Sequence, residues 1–513
     1  MIVRALDLLA ALSAAGVVVV AATGGTRVGG VLLNRPEAFV IAATVFAGVR
    51  ALVRPYRVRL RGGAWAAVAV YVVLMGFIVV TRHLALRTHA LDLGQYVQTV
   101  WSIANGHGAT FTLIPGYVTT VRMNAWADHF QPILYALVPL VWITPSVPPI
   151  LLAQVVGFAL GAVAVFDYTT RRAEGAGVAH AVAGAFAIVY LLNPSLHGIN
   201  LRDIHPAAFV IPLLLAAAAL YDARRFAWCA LAVIAAAACR EDAAVAVVGF
   251  AIWLALARAR WVAGAAVAVA ALALLAFDVQ ILMPYYRGDG GGYHHLYRYT
   301  HLGESLGEIL TSLAFRPWRW LPVVFTVPKL VYALAMLAPL GFLPVLAPRT
   351  LAAAAPGLAM NLLSVDPILI NPRGQYQSFV LPFLVLAAVD GYFALRARRE
   401  GRRLPGIALG AAACFALILT SRTFNDFSVR FWRLGEPERT VHALMGRIPS
   451  DAPVSANERL VPHLVMRKEV FVYPRGLGLS SHVIDREDVL ARTPAAGYVE
   501  VARGGGFILL ERR

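Results

Sequence analysis

Apolar runs about as long as a bilayer is thick recur from one end of this 513-residue chain to the other. A helix needs roughly 20 apolar residues to cross the ~30 Å hydrocarbon core of a membrane. Apolar residues make up 59% of the chain, charged residues only 14%, and the mean hydropathy is +0.69. This composition excludes a soluble enzyme and predicts an all-α polytopic membrane protein.

The apolar pattern predicts about thirteen transmembrane helices. Several of the segments are short for a bilayer, so tilted pairs, broken helices or re-entrant segments are expected among them. The first segment follows Arg4 and is similar to a signal peptide, but its length and the apolar segment behind it favour a retained span. The predicted spans lie at residues 5–22, 36–53, 64–82, 148–167, 178–192, 207–221, 226–238, 243–257, 261–282, 323–346, 350–364, 378–395 and 405–420.

Arginine dominates the net charge of +17, but it lies in short loops between apolar segments, so a nucleic-acid partner is excluded. The clusters lie at residues 54–61, 171–172, 224–225, 258–260 and 396–403. Cationic loops stay on the cytoplasmic side, which places the N-terminus there too. All clusters share that side only if the apolar segment 130–144, with its two prolines, lies on the outer surface instead of spanning.

The opposite, extracytoplasmic side then receives the loops 83–147 and 283–322, the turns 193–206 and 239–242, and residues 421–513. The composition changes at residue 421, where charged residues become frequent and long apolar runs stop. We predict a small soluble α/β domain, with a helix over 436–447 and strands near 452–455, 469–473, 498–502 and 507–511. Cysteines occur only within apolar stretches and indicate neither a disulfide framework nor a metal cluster.

Ionisable residues converge on the predicted outer side. Such groups are costly near membrane depth and indicate function when several meet on one face. They are Asp92 after the third span, Asp128 and His129 at the end of the first outer loop, Asp203 and His205 in one turn, and Arg240, Glu241 and Asp242 in another.

Each of these residues also has a structural explanation. Asp92 could be the N-cap of a surface helix over residues 93–104. Glu241 and Asp242 would favour the positive end of a helix dipole. His205 precedes a proline suited to the first helical position, so it could be an ordinary turn histidine.

Two further segments are less specific. The glycines at 288 and 290–292 have no phosphate-loop spacing and predict a flexible loop, in which His294, His295 and His301 show no convincing zinc-ligand spacing. Arg373 and Tyr376 lie at the outer end of a span. An arginine fork there suits a phosphate, although interfacial Arg and Tyr pairs are common.

The order of these motifs resembles the DUF2079 family of bacterial and archaeal membrane proteins, which is grouped with GT-C-type glycosyltransferases. The resemblance covers about residues 64–513. The family's F-D-L-G motif is similar to residues 91–94, its H-F-x-P motif to residues 129–132, and its H-P motif to residues 205–206.

Its K-E-D motif is similar to residues 240–242, where Arg240 keeps the charge of lysine but changes the geometry. Later signatures match at residues 337–344 and 376–382, with Gln375 in place of the usual histidine. The resemblance divides the chain into an extra N-terminal transmembrane hairpin (1–62), a GT-C-like module (63–420) and the soluble domain (421–513).

By this resemblance, an acidic residue opens the first extracytoplasmic loop, and a sugar is taken from a polyprenyl-phosphate-linked donor at the outer membrane surface. Asp92 is placed to accept the proton of an attacking acceptor hydroxyl, and a single displacement would invert the anomeric carbon. The resemblance thus implies Asp92, Glu241 and Asp242 as catalytic residues. It implies as substrate-binding residues Asp128, His129, Asp203, His205, Arg240, Arg373 and Tyr376.

A transporter or lipid flippase is the main alternative, because intramembrane ionisable groups and broken helices also mark transport paths. A non-catalytic assembly scaffold is a third hypothesis. Against transport, no inverted repeat is visible, and the acids cluster at one surface. The expected partners are the lipid-linked donor, a glycan, lipid or protein acceptor, and the lipids of a bacterial-type cell membrane. The sequence names neither sugar nor acceptor and leaves a divalent metal open.

Overall fold

A computed structural model describes residues 1–54, 63–113, 121–175, 180–288, 293–398 and 403–513. The membrane part is helical, with short hairpins at Thr26–Val28 with Val31–Leu33 (β1, β2) and at Thr110–Phe111 with Met123–Asn124 (β3, β4). Its α-helices are α1 (Ile2–Thr23), α2 (Pro36–Val53), α3 (Gly63–Leu84), α4 (Gln95–Ala104), α5 (Val138–Ile143), α6 (Pro148–Gly175), α7 (Ala181–Leu191), α8 (Pro194–Asn200), α9 (Val210–Asp222), α10 (Phe226–Ala237), α11 (Ala244–Ile252), α12 (Trp261–Phe277), α13 (Met283–Arg287), α14 (Leu306–Phe315), α15 (Pro317–Val324), α16 (Val327–Leu337), α17 (Pro348–Leu351), α18 (Ala355–Leu363), α19 (Leu381–Arg398) and α20 (Arg403–Thr420).

Within the described residues, six helices are long and apolar enough to cross a membrane, or up to eight if each of two bent helix pairs is one span. The six are Ile2–Thr23, Pro36–Val53, Trp65–Leu84, Pro148–Ala173, Trp261–Arg287 and Arg403–Phe427. The predicted number of about thirteen is larger, because several apolar segments form short helices. Phe226–Ala237, for example, has 12 residues, and its rise of about 18 Å is well below the ~30 Å core.

The segment predicted to lie on the outer surface is also short. Pro132–Ile143 is an apolar helical stretch of fewer than 18 residues, and it leaves Trp142 and Ile143 exposed. The Ile133 amide donates a hydrogen bond to the Ala238 carbonyl at 2.9 Å, which ties the segment to the end of α10. Its length agrees with the interpretation that it does not span.

The first two helices form a hairpin in which Arg50 of α2 binds Asp7 of α1 at 2.8 Å. The hairpin contacts the rest of the chain near the end of α20, where the Asn425 amide donates to Glu37 at 2.9 Å. Its treatment as a separate unit, residues 1–62, stays a prediction.

An ion-pair network joins the C-terminal ends of α6 and α9 to the middle of α19. Arg258 binds Asp222 through two nitrogens at 2.8 and 2.9 Å, and Arg172 binds the same carboxylate at 2.8 Å. Arg172 also pairs with Asp390, and the Tyr168 hydroxyl accepts a hydrogen bond from Arg172 at 2.7 Å. Two of the predicted arginine clusters, at residues 171–172 and 258–260, therefore meet on one face of the module. The assignment of this face to the cytoplasmic side stays a prediction. Of the predicted cluster residues, Arg57, Arg59, Arg61, Arg399 and Arg402 lie outside the described residues.

The C-terminal domain contains a five-stranded mixed sheet with the strand order β6-β5-β7-β9-β8. Strand β5 pairs in parallel with β6 and β7, and β9 pairs antiparallel with β7 and β8. The fold class, a helical membrane protein with a small α/β domain, is confirmed. The elements are α21 (Val429–Trp432), α22 (Glu436–Met445), β5 (Val454–Ala456), α23 (Val461–Leu464), β6 (Val470–Val472), β7 (His482–Arg486), α24 (Glu487–Arg492), β8 (Tyr498–Gly504) and β9 (Phe507–Arg512).

This domain is docked on the segment between α3 and α5. The Thr112 hydroxyl donates to the Val470 carbonyl at 2.6 Å and accepts from the Val470 amide at 3.1 Å. Gln98 of α4 donates to Thr112 at 3.0 Å, and His442 of α22 contacts the Leu84 carbonyl at 2.7 Å. The domain therefore holds the same loop that carries Asp92.

Candidate active site

Asp92 lies in the turn Ala90–Gly94, between α3 and α4. Its φ of 63° and ψ of −80° are costly for a residue other than glycine. Gly94 and Gln95 have helical φ and ψ, but the Asp92 carboxylate accepts no hydrogen bond from the first turn of α4, so the capping explanation for Asp92 is wrong. No side chain or amide among the described residues donates a hydrogen bond to the half-buried Asp92 carboxylate.

Asp203 lies in the neighbouring turn and has a φ of 73°. Its carboxylate accepts a hydrogen bond from the His89 amide at 3.2 Å, which connects this turn to the segment before Asp92. Burial raises the pKa of Asp203 to about 7; the Asp92 carboxylate also raises it, against the lowering effects of the His89 amide and Arg82. The two aspartates are thus electrostatically coupled.

His205 follows in the same turn and is buried. Its amide donates to Gln154 at 2.9 Å, and its ring lies edge-on to Tyr96 with centroids 6.4 Å apart. Pro206 opens a short 3-10 helix, as the helix-start explanation requires. That explanation does not account for the ring, whose buried Nε2 has no hydrogen-bond partner among the described residues.

The turn that contains Arg240 and Asp242 holds a bidentate ion pair. The guanidinium Nε and Nη2 of Arg240 donate to the Asp242 carboxylate at 2.5 and 2.6 Å. The same guanidinium lies 5.5 Å from the ring centre of Tyr376 and 5.4 Å from that of Phe379. The charge of Arg240 is therefore fixed in place by an acid and two aromatic rings.

Glu241 is fully buried and accepts three hydrogen bonds. The donors are the His129 ring Nδ1 at 2.8 Å, the Tyr293 hydroxyl at 2.8 Å and the Phe130 amide at 3.1 Å. Burial would raise the pKa of Glu241, but His129, Arg240 and Tyr293 hold it at about 2. Because its oxygens are occupied, this geometry suits a positioning role, and the predicted catalytic role of Glu241 and Asp242 stays untested.

His129 also stacks on a histidine from a distant loop. Its ring lies parallel to that of His295, with centroids 4.5 Å apart. One ligand atom each from Asp128, His129 and His295 lie within 4.8 Å of one another, so these three residues could hold a metal ion. The sequence pairs neither His295 nor Tyr293 with this site, because they belong to a loop whose glycines at 290–292 lie outside the described residues.

Tyr376 belongs to the site, whereas Arg373 lies apart from it. The Tyr376 hydroxyl accepts from Arg298 at 2.8 Å, and Arg298 also contacts Asp366 at 3.3 Å; sequence reasoning missed Arg298. The Arg373 backbone packs closely on Gly198, and its guanidinium reaches Thr423 at 3.4 Å. Arg373 is thus surrounded by a different part of the chain from Arg240.

Tyr96 connects the separate turns. Its phenol is buried, and burial raises its pKa. The Asp92 and Asp128 carboxylates raise that pKa further, whereas the Arg240 guanidinium lowers it. Charges from three loops therefore act on one side chain. The two cavities described, of about 500 and 290 Å³, are lined by other residues, so a single cavity shared by the predicted site residues stays a prediction.

The chain matches a protein family described as "Predicted membrane protein (DUF2079)" over residues 82–510. It belongs to this family. The match begins within α3, so α1 and α2 precede it. No curated protein matches the chain.

Among solved structures, the chain is similar to ArnT from Cupriavidus metallidurans at 13% identity and a TM-score of 0.47. The match to the crystal structure bound to undecaprenyl phosphate covers 86% of this chain and 97% of ArnT. The match to the apo crystal structure has the same identity and TM-score and covers 87% and 97%.

Proposed function

We propose that this DUF2079 protein is a membrane glycosyltransferase that moves a sugar from a polyprenyl-phosphate-linked donor to an extracytoplasmic acceptor with inversion. The observation that carries the proposal is the Asp92 carboxylate. It is half-buried in a strained turn, lacks a hydrogen-bond donor among the described residues, and lies beside other site acids. Backbone strain and an unpaired acid favour a chemical over a structural role.

In the proposed reaction, Asp92 accepts the proton of the acceptor hydroxyl as its oxygen bonds to the anomeric carbon. The bond from that carbon to the phosphate oxygen breaks, and the polyprenyl phosphate leaves as an anion. Arg240, held by Asp242 and two aromatic rings, is the candidate to stabilise this charge. Arg298 donates a hydrogen bond to the Tyr376 hydroxyl and is a second candidate cation.

The test compares purified wild-type protein with Asp92→Asn, using radiolabelled undecaprenyl-phosphate-linked sugars and cell-envelope acceptors. Asparagine is nearly isosteric and tolerates positive φ, but it cannot accept the proton. We expect Asp92→Asn to retain its melting temperature and donor binding and to lower transfer by roughly 10²-fold or more.

The exposed Asp451 of the C-terminal domain provides the matched control, and Asp451→Asn should transfer sugar at the wild-type rate. Full transfer by a well-folded Asp92→Asn variant would exclude Asp92 as the base. Movement of the donor lipid across vesicles by a wild-type protein that transfers no sugar would instead favour the flippase alternative.

A further inference from the structure

We propose that Asp128, His129 and His295 form a binding site for a divalent transition-metal ion of the zinc class. The site would join the end of the first outer loop to the segment after residue 292. This proposal does not depend on sugar transfer, because the ion could position these loops whatever reaction they serve.

The donor atoms are close enough for one ion. One ligand atom from each residue lies within 4.8 Å of the others. Ligands of a tetrahedral zinc ion, at about 2.0–2.2 Å from the metal, lie about 3.4 Å apart. Side-chain movements of about 1 Å would therefore complete the site. Two imidazoles and one carboxylate are a donor set that zinc-class ions accept, whereas Mg²⁺ and Ca²⁺ prefer oxygen ligands alone.

Glu241 orients the His129 ring so that its other nitrogen can bind an ion. The Glu241 carboxylate lies 2.8 Å from His129 Nδ1, and Tyr293 and the Phe130 amide hold that carboxylate in turn. A proton on Nδ1 leaves the lone pair of Nε2 free for an ion. Metal-binding histidines are commonly oriented in this way by a carboxylate on the other ring nitrogen.

The His295 ring provides separate evidence that a ligand binds here. Both its ring nitrogens are buried without a hydrogen-bond partner among the described residues. A buried unpaired polar atom is costly and calls for a partner. The His295 ring already lies parallel to that of His129 at 4.5 Å, and a shared ion would satisfy one of its nitrogens.

His301 provides a matched control, since it belongs to the same segment and its ring nitrogens are also without partners, but it is not part of the cluster. Purified, chelator-treated protein is titrated with Zn²⁺, and bound zinc and the melting temperature are measured. We expect one high-affinity zinc per chain in the wild type and in His301→Ala, with a raised melting temperature. Both effects should be lost in His295→Ala and Asp128→Asn, and Glu241→Gln should weaken affinity about 10- to 100-fold.

Equal zinc affinity in the wild type and His295→Ala would overturn the proposal, as would the absence of zinc binding by the wild type. Binding lost in His463→Ala but kept in His295→Ala would also overturn it. It would place the ion at the histidines that line the 500 Å³ cavity, where His463 stacks on His83 at 4.0 Å. None of these measurements requires transfer activity, so they test the site separately from the proposed function.

Discussion

Asp92 and Asp203 lie in adjacent turns but differ in burial and in hydrogen bonding. Both have a positive φ, which asparagine and aspartate tolerate better than most residues. Asp203 is buried and bonded to the His89 amide, whereas Asp92 is half-buried and receives no such bond among the described residues. Burial raises the pKa of Asp203, so this acid keeps its proton to higher pH than an exposed aspartate.

The first prediction concerns the pH dependence of stability. The folded pKa of Asp203 is about 7, against an ordinary value of 3.8, so the folded state keeps its proton to higher pH than the unfolded chain. The contribution of this group to the free energy of unfolding is therefore complete below about pH 4 and falls as the pH rises to about 7. We expect Asp203→Asn, which cannot ionise, to remove this decline.

Thermal unfolding in detergent at pH 5 and pH 8 provides the measurement. The stability of Asp203→Asn relative to wild type should be greater at pH 8 than at pH 5. Between the unfolded and folded pKa values, this difference in the free energy of unfolding should grow by at most about 1.4 kcal/mol per pH unit. The exposed Asp451 again provides the control, since Asp451→Asn should leave the pH profile unchanged. A constant difference between Asp203→Asn and wild type across this range would show that Asp203 does not titrate there.

At the residue scale, the sequence draws attention to isolated charged residues but does not identify the side chains that contact them. An isolated acid or imidazole at the end of an apolar run, such as Asp92 or His129, is visible in the sequence because the bilayer does not explain it. The partner of Glu241 is not visible, because Tyr293 is a common interfacial aromatic residue in a glycine-rich loop. Arg298 and His295 belong to the same loop, and no local spacing pairs them with Tyr376 or His129.

At the scale of secondary structure, the segment that follows α4 covers one edge of the C-terminal sheet. Strand β6 is an edge strand, and the amide and carbonyl of its Val470 both bind the Thr112 hydroxyl. Unpaired strand edges attract other chains. Thr112 thus satisfies one position of this edge and fixes the domain to the loop.

We expect Thr112→Val to remove these hydrogen bonds with little change in side-chain shape. It leaves buried Val470 backbone groups unpaired, which should lower the free energy of unfolding by about 1–3 kcal/mol. Hydrogen exchange of β6 and thermal unfolding measure the effect. Thr110→Val is the control, because its hydroxyl makes only a 3.4 Å contact with the His107 carbonyl. Equal exchange at β6 in both variants would contradict this role.

The strands of this domain show which elements a sequence reveals. The predicted strands at 452–455, 469–473, 498–502 and 507–511 overlap β5, β6, β8 and β9. Strand β7 was missed, although it lies between β5 and β9 in the sheet. Its sequence His-Val-Ile-Asp-Arg has only two apolar residues, and the buried Asp485 is bonded to Asn457 at 2.8 Å, a long-range contact that no local pattern indicates.

At the scale of the whole molecule, the two ends of the helical module carry different groups of charged residues. At one end, Arg172 and Arg258 form a network with Asp222 and Asp390. The opposite end carries the site turns and contacts the C-terminal domain through Gln98 and Thr112. The number of spans was harder to predict, because hydropathy alone does not separate a bent pair or a short buried helix from a complete span.

The orientation of the module is the last prediction, and it follows from the same charges. Cationic loops are retained in the cytoplasm, so the end of α19 should be cytoplasmic and the C-terminal domain extracytoplasmic. We replace Cys229, Cys239 and Cys414 by alanine and introduce Arg398→Cys or Leu479→Cys, both at exposed positions. In intact cells, an impermeant thiol reagent should label Leu479→Cys at once and Arg398→Cys only after permeabilisation. The reverse pattern would place Asp92 in the cytoplasm, where an extracytoplasmic acceptor could not reach it, and the proposed reaction would fail together with the orientation.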